Sequence, residues 1–298
     1  MNPKITAIIV TYNGMHWYDR CLGSLRKSET PVDTIVIDNA STDGSAKYIK
    51  EHFPEVHLIE SQENLGFAKA NNIGMRKALD DGADYVFLLN QDAWVEPNTL
   101  TELIKTFVDN DSVGIASPVH LNGAYSGLDQ NFASYIIADF VSDSYMQSIK
   151  QYYSIPFVNA AAWLVSRECI EKVGGFDTLV FRHYGEDNNF CQRVLYHKLK
   201  IVLNTRCTFC HDREIRLKKD SNSYVRQVPY YQQRLEFGNI NIDWNAQQEI
   251  KRMKRKRLMK FVQCNFRCAR DLNAYIDMLA LIDSSRKTNK TTGLHWLD

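Results

Sequence analysis

An apolar run that ends in polar side chains points to a binding site near residue 90. Residues 85–89 are largely apolar, and Asn90, Gln91 and Asp92 follow them directly. A buried strand that ends in a carboxylate is stable only if that carboxylate reaches water, a cation or another partner. We therefore expect Asp92 and its neighbours to lie at the mouth of a site that takes a cation or a polar ligand.

Comparable polar groups follow three other runs that are predicted to be strands. They are Thr11, Tyr12 and Asn13 after strand one, Asp38 and Asn39 after strand two, and Asn64, Gly66, Asn71 and Asn72 after strand three. Hydroxyl, amide and carboxylate groups make the hydrogen bonds that read a sugar or a base, whereas a dinucleotide fold uses a Gly-rich turn. Strand one is followed by neither G-x-G-x-x-G nor a Walker lysine, which argues against a Rossmann cofactor fold.

Each of these groups also has a purely structural explanation. Taken alone, Asp38 and Asn39 are explained as well by a structural role, in a helix cap or an Asx turn, as by ligand binding. Gly66 is explained by a turn, and Asn71 with Asn72 by the polar face of a helix. The repetition of the pattern at four neighbouring strand ends favours a ligand site.

A pair of acids, Glu186 and Asp187, begins a predicted helix, "EDNNFCQRVLYH". Acids in a first helical turn complement the helix dipole, and this accounts for one of the two. Adjacent carboxylates point in different directions, so the other one is available for a second role. Held near a substrate, it would take a proton from an attacking hydroxyl as a general base.

The segment "CTFCH" contains Cys207, Cys210 and His211 in a spacing known from haem c attachment and from zinc sites. Haem c attachment belongs to exported proteins, and we expect no export leader here. The residues alternate along a predicted strand, which favours two packed thiols. A zinc site would need further ligands, and Cys264 and Cys268 lie on a separate helix. His211 ends its predicted strand, and we expect it on the same side of the sheet as the other candidate site residues.

The elements that position these residues alternate between strand and helix. From Ile5 to about Phe107 the pattern predicts a βαβ series with a parallel sheet, whose ligands bind at the carboxyl ends of the strands. The second half is less regular, with some antiparallel strands expected among "GIASPVHL", "NAAAWLVS" and "LKIVLNTRCTFCH". From about Asn245 to Ile282 we expect a long helix with one apolar stripe. The stripe consists of Leu258, Val262, Phe266, Ala269, Leu272, Ile276 and Leu279.

A basic run precedes this stripe: six of the seven residues from Lys251 to Arg257 are Lys or Arg. A solvated helix face is the usual explanation of such a run. Apolar side chains adjoin the run, namely Leu258, Met259, Phe261 and Val262. Packing on the rest of the protein is the preferred role for the stripe, and docking on anionic lipid or homodimerisation are alternatives.

Composition excludes several classes of protein. The 298 residues are 44% hydrophobic and 24% charged, which is typical of a globular α/β protein. Lys and Arg (36) nearly balance Asp and Glu (35), so no nucleic-acid partner is expected. We expect a cytoplasmic protein, because neither a leader nor an apolar run of ~20 residues is evident. Its seven cysteines are then reduced thiols.

In order and spacing, these motifs resemble the family 2 glycosyltransferases, especially the rhamnosyltransferase-like bacterial members. The motifs are "TYN", "VIDNASTDGS", "ENLGFAKANN", "LLNQDAWV", "VGGFD" with "GED", and a later strand-ending His. The likeness covers residues 5 to about 212. It implies an α/β fold of the GT-A nucleotide-binding type, a mostly parallel sheet flanked by helices, in residues 1–240, with a helical C-terminal extension in residues 241–298.

The resemblance implies roles for individual residues. The base and ribose of a nucleoside-diphosphate sugar would be bound by Thr11, Tyr12, Asn13 and Asp38, and its base and diphosphate approached by Asn64, Gly66 and Asn71. The family's D-x-D motif falls on Asn90, Gln91 and Asp92. Asp92 and His211 would then hold a divalent cation, Mg or Mn, although the neutral Asn90 stands where the family has its first acid, which leaves the need for a metal open.

The implied reaction is an inverting transfer of the sugar to a hydroxyl of a glycan or lipid-linked acceptor in bacterial surface polysaccharide synthesis. Asp187 would be the general base, and Glu186 would orient the acceptor. A lipid-linked acceptor would place the protein peripherally on the inner face of the membrane. Two other classes remain: a nucleotidyltransferase, against which the missing Gly-rich loop argues, and a non-catalytic sugar-nucleotide binding module, which the altered D-x-D favours.

Overall fold

A computed structural model describes residues 3–181, 184–213 and 230–297. Nine strands form one sheet in this part of the chain. They are β1 (Ile5–Thr11), β2 (Asp33–Asp38), β3 (His57–Glu60), β4 (Tyr85–Leu89), β5 (Ala93–Val95), β6 (Val113–Asn122), β7 (Tyr152–Ser154), β8 (Ala162–Ser166) and β9 (Lys200–His211).

Helices cover both faces of this sheet and continue beyond it. In chain order they are α1 (Tyr18–Arg26), α2 (Ser45–His52), α3 (Gly66–Asp80), α4 (Thr99–Asp109), α5 (Gln130–Tyr135), α6 (Ala138–Tyr145), α7 (Arg167–Val173), α8 (Glu186–Tyr196), α9 (Tyr231–Gly238), α10 (Ala246–Val262) and α11 (Phe266–Asn289). The predicted βαβ series in the first hundred residues is confirmed.

The sheet is mixed, with strand order β3-β2-β1-β4-β8-β6-β9-β5, and β7 pairs with β9. Strands β1 to β4 pair in parallel. Strand β8 runs antiparallel between β4 and β6, β9 is parallel to β6, and β5 and β7 are antiparallel to β9. The expected change from parallel to partly antiparallel pairing in the second half is therefore confirmed.

This topology brings several chain segments to one edge of the sheet. The carboxyl ends of β1, β2 and β4 share that edge because the three strands are parallel. Strand β8 starts there, since Ala162 lies opposite Leu89. The end of β9 lies there as well, because β9 is parallel to β6 and His211 pairs with Asn122. We call this edge the site edge.

Two apolar layers hold the sheet between the helices. Side chains alternate along a strand, so Ile8 of β1 faces one layer while Ala7 and Ile9 face the other. The first layer includes Trp163 and packs against α3, α7 and α8, and the second includes Phe87 and packs against α1 and α4. Each fully buried large apolar side chain stabilises the fold by roughly 1.5–3 kcal/mol.

The expectation of one long C-terminal helix is wrong. The chain forms two helices, α10 and α11, that pack together as a hairpin. Between them Cys264 adopts a positive φ of 54°, and the Asn265 side chain accepts a hydrogen bond from the Cys268 N–H at 3.1 Å. The left-handed conformation at Cys264 ends α10, and the Asn265 cap begins α11.

The hairpin is bonded to the rest of the protein through a buried carboxylate, Asp177, in the "VGGFD" segment. Asp177 accepts hydrogen bonds from Ser285 and Asn289 of α11 and from the backbone N–H groups of Leu179 and Val180. The division between residues 1–240 and 241–298 stays a prediction.

A second link joins helix α3 to the end of the chain. The amide nitrogen of Asn72 donates to the carbonyl oxygens of Phe176 and Trp296, each at 2.8 Å. Its amide oxygen accepts from the Phe176 N–H at 2.7 Å. The amide nitrogen and the amide oxygen of Asn72 are therefore both occupied by bonds that hold the fold together, which favours a structural role for this residue.

Candidate active site

The ends of β1 and β4 are joined at the site edge by the side chain of Gln91. Its amide oxygen accepts from the Thr11 hydroxyl at 2.6 Å and from the Tyr12 N–H at 2.9 Å. The close approach leaves no room beside Gly14, where a Cβ atom would lie 2.3 Å from that oxygen. The Tyr12 ring stays exposed, so it is available to stack on a planar ligand such as a base.

The ends of β1 and β2 are joined in the same way. Asn13 has a positive φ of 51°, which lets its side-chain oxygen accept from the Thr42 N–H at 2.8 Å. Its own N–H donates to the Ser41 hydroxyl oxygen at 2.9 Å. Ser41 in turn donates through its hydroxyl to the buried carboxylate of Asp38. Asp38 therefore shapes the loop as an Asx turn, and it does so at the position predicted for ribose binding.

The loop before α3 closes against the end of β2. Asn39 donates to the Gly66 carbonyl at 3.4 Å and accepts from the Leu65 N–H at 3.3 Å. Asn64 accepts from the Gly66 N–H at 2.9 Å, where Gly66 has φ 76°. Asn71 is buried and donates to the Phe67 carbonyl one turn earlier at 3.0 Å. Gly66 and the exposed Asn64 thus border the site edge, while the Asn71 amide bonds within its own helix.

The polar residues that follow β4 meet the end of β9. His211 Nε2 lies 3.3 Å from Asp92 Oδ1 and 3.3 Å from the Asn90 side-chain nitrogen. Asp92 and His211 are both buried. This confirms that the two residues lie together, and it leaves their role as metal ligands a prediction.

Sequence reasoning missed two residues of this group. Asp129 lies 3.9 Å from His211 Nδ1 through one carboxylate oxygen, and the same oxygen accepts from Arg213 Nε at 2.6 Å. The other oxygen caps α5 by accepting from the Phe132 N–H at 3.0 Å. Asp129 lies in a stretch for which the sequence predicts no element, and nothing in the sequence pairs it with His211. We call Asn90, Asp92, Asp129, His211 and Arg213 the His211 cluster.

Glu186 and Asp187 begin α8 and form what we call the acid pair. Burial and the neighbouring Asp187 carboxylate raise the pKa of Glu186 to about 8. Burial also raises the pKa of Asp187, an effect opposed by hydrogen bonds from Asn188. One Glu186 carboxylate oxygen is buried without a hydrogen-bond partner among the described residues. The acid pair is therefore poorly compensated and has a high affinity for a proton.

Two tyrosines lie beside the acid pair. Tyr135 donates to the Asn159 side chain, and burial together with the charges of Asp129 and Asp187 raises the pKa of Tyr135. Burial, Asp187 and Glu186 raise the pKa of Tyr231, the first residue of α9, to about 12. Tyr135 is thus within electrostatic reach of both Asp187 of the acid pair and Asp129 of the His211 cluster.

A backbone segment connects the two groups. The Asn90 N–H donates to the Ala161 carbonyl at 3.0 Å, and the neighbouring Ala160 N–H faces Asp187. The acid pair is held in position because Gly185, with φ 93°, lets the chain turn into α8 against Phe181 and Leu235. A Cβ atom at Gly185 would lie 2.9 Å from the Phe181 ring.

The donor set of the His211 cluster fits a divalent cation only in part. A carboxylate oxygen of Asp92 and the imidazole of His211 are suitable ligands, and the Asn90 amide is a neutral one. No group of three or more His, Cys, Asp or Glu side chains suited to a metal occurs in the described part of the chain. A cation here would therefore need oxygen ligands from a bound ligand.

The other metal hypothesis concerned "CTFCH". Cys207 and Cys210 are free thiols buried in β9, and Cys207 belongs to the second apolar layer. Cys264 is exposed at the turn between α10 and α11, and Cys268 follows it on α11. Cys264 and Cys268 are thus in a part of the chain separate from Cys207 and Cys210, as predicted, although Cys264 lies in the turn and not on the helix.

The chain matches the family model of glycosyl transferase family 2 over residues 6–174. The chain belongs to this family. It is similar to the "dTDP-rhamnosyl transferase RfbF" of Shigella flexneri, with 29% identity over 207 residues, 67% of this chain and 66% of that protein.

A further relative and a solved structure agree with this assignment. An "N-acetylglucosaminyl-diphospho-decaprenol L-rhamnosyltransferase" of Mycobacterium tuberculosis is 30% identical over 113 residues, 35% of this chain and 37% of that protein. The mannosyltransferase PcManGT from Pyrobaculum calidifontis, solved with GDP-Man and Mn2+, matches with a TM-score of 0.56 and 17% identity. This match covers 97% of this chain and 87% of that one. The predicted GT-A fold is thereby confirmed.

The matches leave part of each relative uncovered. The chain spans about two thirds of the length of RfbF and just over one third of the mycobacterial rhamnosyltransferase. None of the helices that the structure describes combines the length and apolar character that a membrane span requires.

Proposed function

We propose that this member of glycosyl transferase family 2 moves a sugar from a nucleoside diphosphate to an acceptor hydroxyl in bacterial polysaccharide synthesis. The observation that carries the proposal is the pairing of two acidic groups at one sheet edge. In the His211 cluster Asp92 lies beside the His211 imidazole and Asp129 pairs with the Arg213 guanidinium, whereas the acid pair has no ion-pair partner among the described residues. A transferase needs both kinds of group, one for the leaving diphosphate and one for the acceptor proton.

The nucleotide would lie along the ends of β1 and β2. Exposed Tyr12 offers a face for the base, and the loop that Asn13 and Asp38 hold offers hydroxyl and amide groups for the ribose. Gly66 begins α3, and backbone N–H groups at a helix start favour phosphate oxygens. Asn64 and Asn71 stand beside this helix start, and Gln91 fixes the spacing between β1 and β4.

Asp92 and His211 would hold a Mg or Mn ion, with Asn90 as a neutral third ligand. When bound, such an ion neutralises the negative charge that develops on the departing diphosphate. With only one carboxylate among these three groups, the diphosphate itself would supply much of the coordination. PcManGT, which shares the fold, was solved with Mn2+ and GDP-Man.

Asp187 would be the general base, and Glu186 would orient the acceptor. As the acceptor oxygen bonds to the anomeric carbon, its proton passes to an Asp187 carboxylate oxygen. The bond from the anomeric carbon to the diphosphate oxygen breaks, and its electron pair leaves with the diphosphate. A single displacement of this kind inverts the anomeric centre. Burial raises the pKa of Asp187 and so strengthens it as a base.

The acceptor would be a hydroxyl of a glycan or of a lipid-linked saccharide. The mycobacterial relative is named for the lipid-linked acceptor N-acetylglucosaminyl-diphospho-decaprenol, and RfbF is named for a dTDP-rhamnosyl donor. These names motivate a screen with dTDP, UDP and GDP sugars. We place the protein in the cytoplasm, peripherally on the membrane, where such acceptors are found.

A thermal-shift screen tests the proposal, with each sugar nucleotide presented once with Mn and once with EDTA. A sugar nucleotide that raises the melting temperature is then incubated with candidate acceptors, and release of the nucleoside diphosphate is measured. Stabilisation by one nucleotide together with transfer supports the proposal. Failure of every sugar nucleotide to bind would exclude it.

One observation favours a second function, a sugar-nucleotide binding module without catalysis. Asn90 stands where the family has an acid, so the His211 cluster offers a metal less negative charge. Such a module would bind a sugar nucleotide in the thermal-shift screen and would show neither hydrolysis nor transfer over long incubations.

A further inference from the structure

The outer end of the C-terminal hairpin has few contacts with the rest of the protein. Its inner end is buried: Met253 of α10 packs with Ile276 and Leu279 of α11 against Val180 and Phe181. Helix α10 continues for nine residues beyond Met253, about 13 Å at the usual helical rise. We call residues 254–270 the hairpin tip. The tip projects from the surface that holds the inner end.

Five large apolar side chains are exposed within nine positions of the hairpin tip. Exposure reaches 59% for Phe261, 74% for Val262 and 58% for Phe266, and Leu258 and Met259 are similarly exposed. Single exposed apolar residues are normal on a protein surface, but a group of them on two adjoining helices marks a candidate interaction site. Phe261 and Phe266 bring the two helices together here, with ring centroids 5.4 Å apart. The predicted continuous stripe is thus divided, with Ile276 and Leu279 in the core and Leu258, Val262 and Phe266 at the tip.

The hairpin tip is also the most basic part of the chain. Residues 254–270 contain seven Lys or Arg and no Asp or Glu. Because the whole chain carries a formal net charge of +1, the remainder carries −6. Arg252 pairs with Glu249 on the inner side, at 2.5 Å, so the basic side chains of the tip lie beyond the acids of the helix.

From this combination we propose that the hairpin tip docks the protein on an anionic lipid surface. Phe261, Val262 and Phe266 would enter the boundary between headgroups and acyl chains, and the surrounding Lys and Arg would contact anionic headgroups. A second copy of the chain fits less well, because a two-fold contact between tips would place seven positive charges against seven. Nucleic acid would neutralise the charge but would leave the apolar side chains exposed.

The position of the acid pair gives this docking a purpose, and this one point rests on the proposed function. Tyr231 of α9 lies beside the acid pair, and the preceding Tyr230 hydroxyl donates to the Asp271 carbonyl of α11 at 3.3 Å. Helix α9 therefore joins the acid pair to the hairpin. Docking by the tip would hold the acid pair where the hydroxyl of a lipid-linked acceptor can arrive.

Vesicle flotation of the full chain tests the proposal. Vesicles of phosphatidylcholine alone are compared with vesicles of phosphatidylcholine and phosphatidylglycerol, at low and high salt. We expect binding only to the anionic vesicles, and at least about tenfold weaker partitioning at high salt, because the Debye length falls from about 10 Å at 0.1 M to about 3 Å at 1 M. Equal binding to both vesicle types, or none to either, would overturn the proposal.

A matched pair of variants separates the tip from general surface effects. Val262→Ser removes an apolar side chain at the tip, and Val108→Ser removes an equally exposed valine, 78% exposed, from α4. The first should weaken partitioning about fivefold or more, and the second should leave it within about twofold. Equal effects of the two variants would refute a role for the tip.

Charge is tested separately with Lys254→Glu combined with Lys256→Glu, and with Lys27→Glu at the end of α1 as the control. We expect at least about tenfold weaker partitioning for the tip variant and little change for the control. A dimer in analytical ultracentrifugation that Val262→Ser dissolves would instead assign the tip to a second copy. Binding of DNA or RNA that requires Lys254 and Lys256 would assign it to nucleic acid.

Sugar-nucleotide turnover with a water-soluble acceptor distinguishes failure of this inference from failure of the proposed function. Val262→Ser should keep that turnover. Turnover without vesicle binding would contradict the docking surface alone, whereas vesicle binding without turnover would contradict the proposed function alone.

Discussion

Two groups of acidic side chains lie at the same sheet edge, and their surroundings differ. In the His211 cluster, Asp92 contacts an imidazole, and Asp129 contacts both that imidazole and the Arg213 guanidinium. In the acid pair, the Asp187 charge acts on the adjacent Glu186, and burial raises the pKa of both. Each carboxylate of the first group faces a basic side chain, and in that sense we call this group balanced. No basic side chain pairs with either acid of the other group in the described part of the chain.

The difference separates two chemical roles. A balanced carboxylate keeps a fixed position and charge, which suits the binding of a cation and of a diphosphate. An unbalanced, partly buried carboxylate gains stability when it takes up a proton, which suits a general base. Burial of charge without compensation costs stability, and a protein tolerates that cost most readily where the charge has a function.

Among the variants that test this difference between the two groups, Asp187→Asn should have the largest effect on transfer. Loss of the general base should lower the transfer rate by about 10²–10⁴-fold. Donor affinity, measured by calorimetry, should stay nearly the same because the carboxylate acts on the acceptor. Asp80→Asn, which removes an exposed acid at the end of α3, is the matched control. Normal turnover of Asp187→Asn would exclude the role of base.

Asp129→Asn tests the balanced group through stability. The change leaves Arg213 without its carboxylate partner and removes one of the two carboxylates beside His211, and we expect a loss of about 2 kcal/mol in the free energy of unfolding. Asp143→Asn, at a more exposed ion pair with Lys150, should cost less than about 1 kcal/mol. Urea denaturation measures both. Similar losses for the two variants would mean that Asp129 adds nothing beyond a surface ion pair.

Asp92→Ala tests whether the balanced group holds a cation. In the presence of Mn we expect affinity for the nucleoside diphosphate to fall about tenfold or more, since each 1.4 kcal/mol lost is tenfold. With EDTA, the variant and the unchanged protein should bind with similar affinity. Calorimetry in both conditions provides the measurement. An equal loss with and without Mn would show that Asp92 contacts the nucleotide or its loop directly.

The smallest expected effect concerns stability against pH at the acid pair. The pKa of Glu186 is raised to about 8, so the folded protein binds a proton more tightly than the unfolded chain. This contribution is fully present at low pH and is lost as the pH rises from the ordinary Glu range through about 8.

Glu186→Gln should therefore flatten the stability profile. Above the raised pKa, we expect the variant to be more stable than the unchanged protein by about 1 kcal/mol, a value discounted because Glu186 is partly exposed to solvent. Melting temperatures across the pH range give the comparison, with the exposed Glu171→Gln as control. Parallel profiles for Glu186→Gln and the unchanged protein would show that the acid pair is better compensated than its surroundings indicate.

The sequence by itself predicted that the site lies at strand ends and which residues stand there. The βαβ pattern is local in the chain, and parallel strands must bring their carboxyl ends to one edge. The sequence alone therefore predicted a shared edge of the sheet for Thr11, Asp38, Gln91 and Asp92. His211 followed from its position at the end of a predicted strand.

Only the tertiary structure decided which charges are compensated and which surfaces are covered. Asp129 reaches His211, and Asp177 reaches α11, from positions remote in the chain, so no spacing rule predicts these pairs. The division of the apolar stripe at Cys264 was likewise invisible to periodicity, because Leu279 and Val262 are equally apolar in the sequence. Burial and charge balance depend on distances between segments that the chain brings together only when it folds.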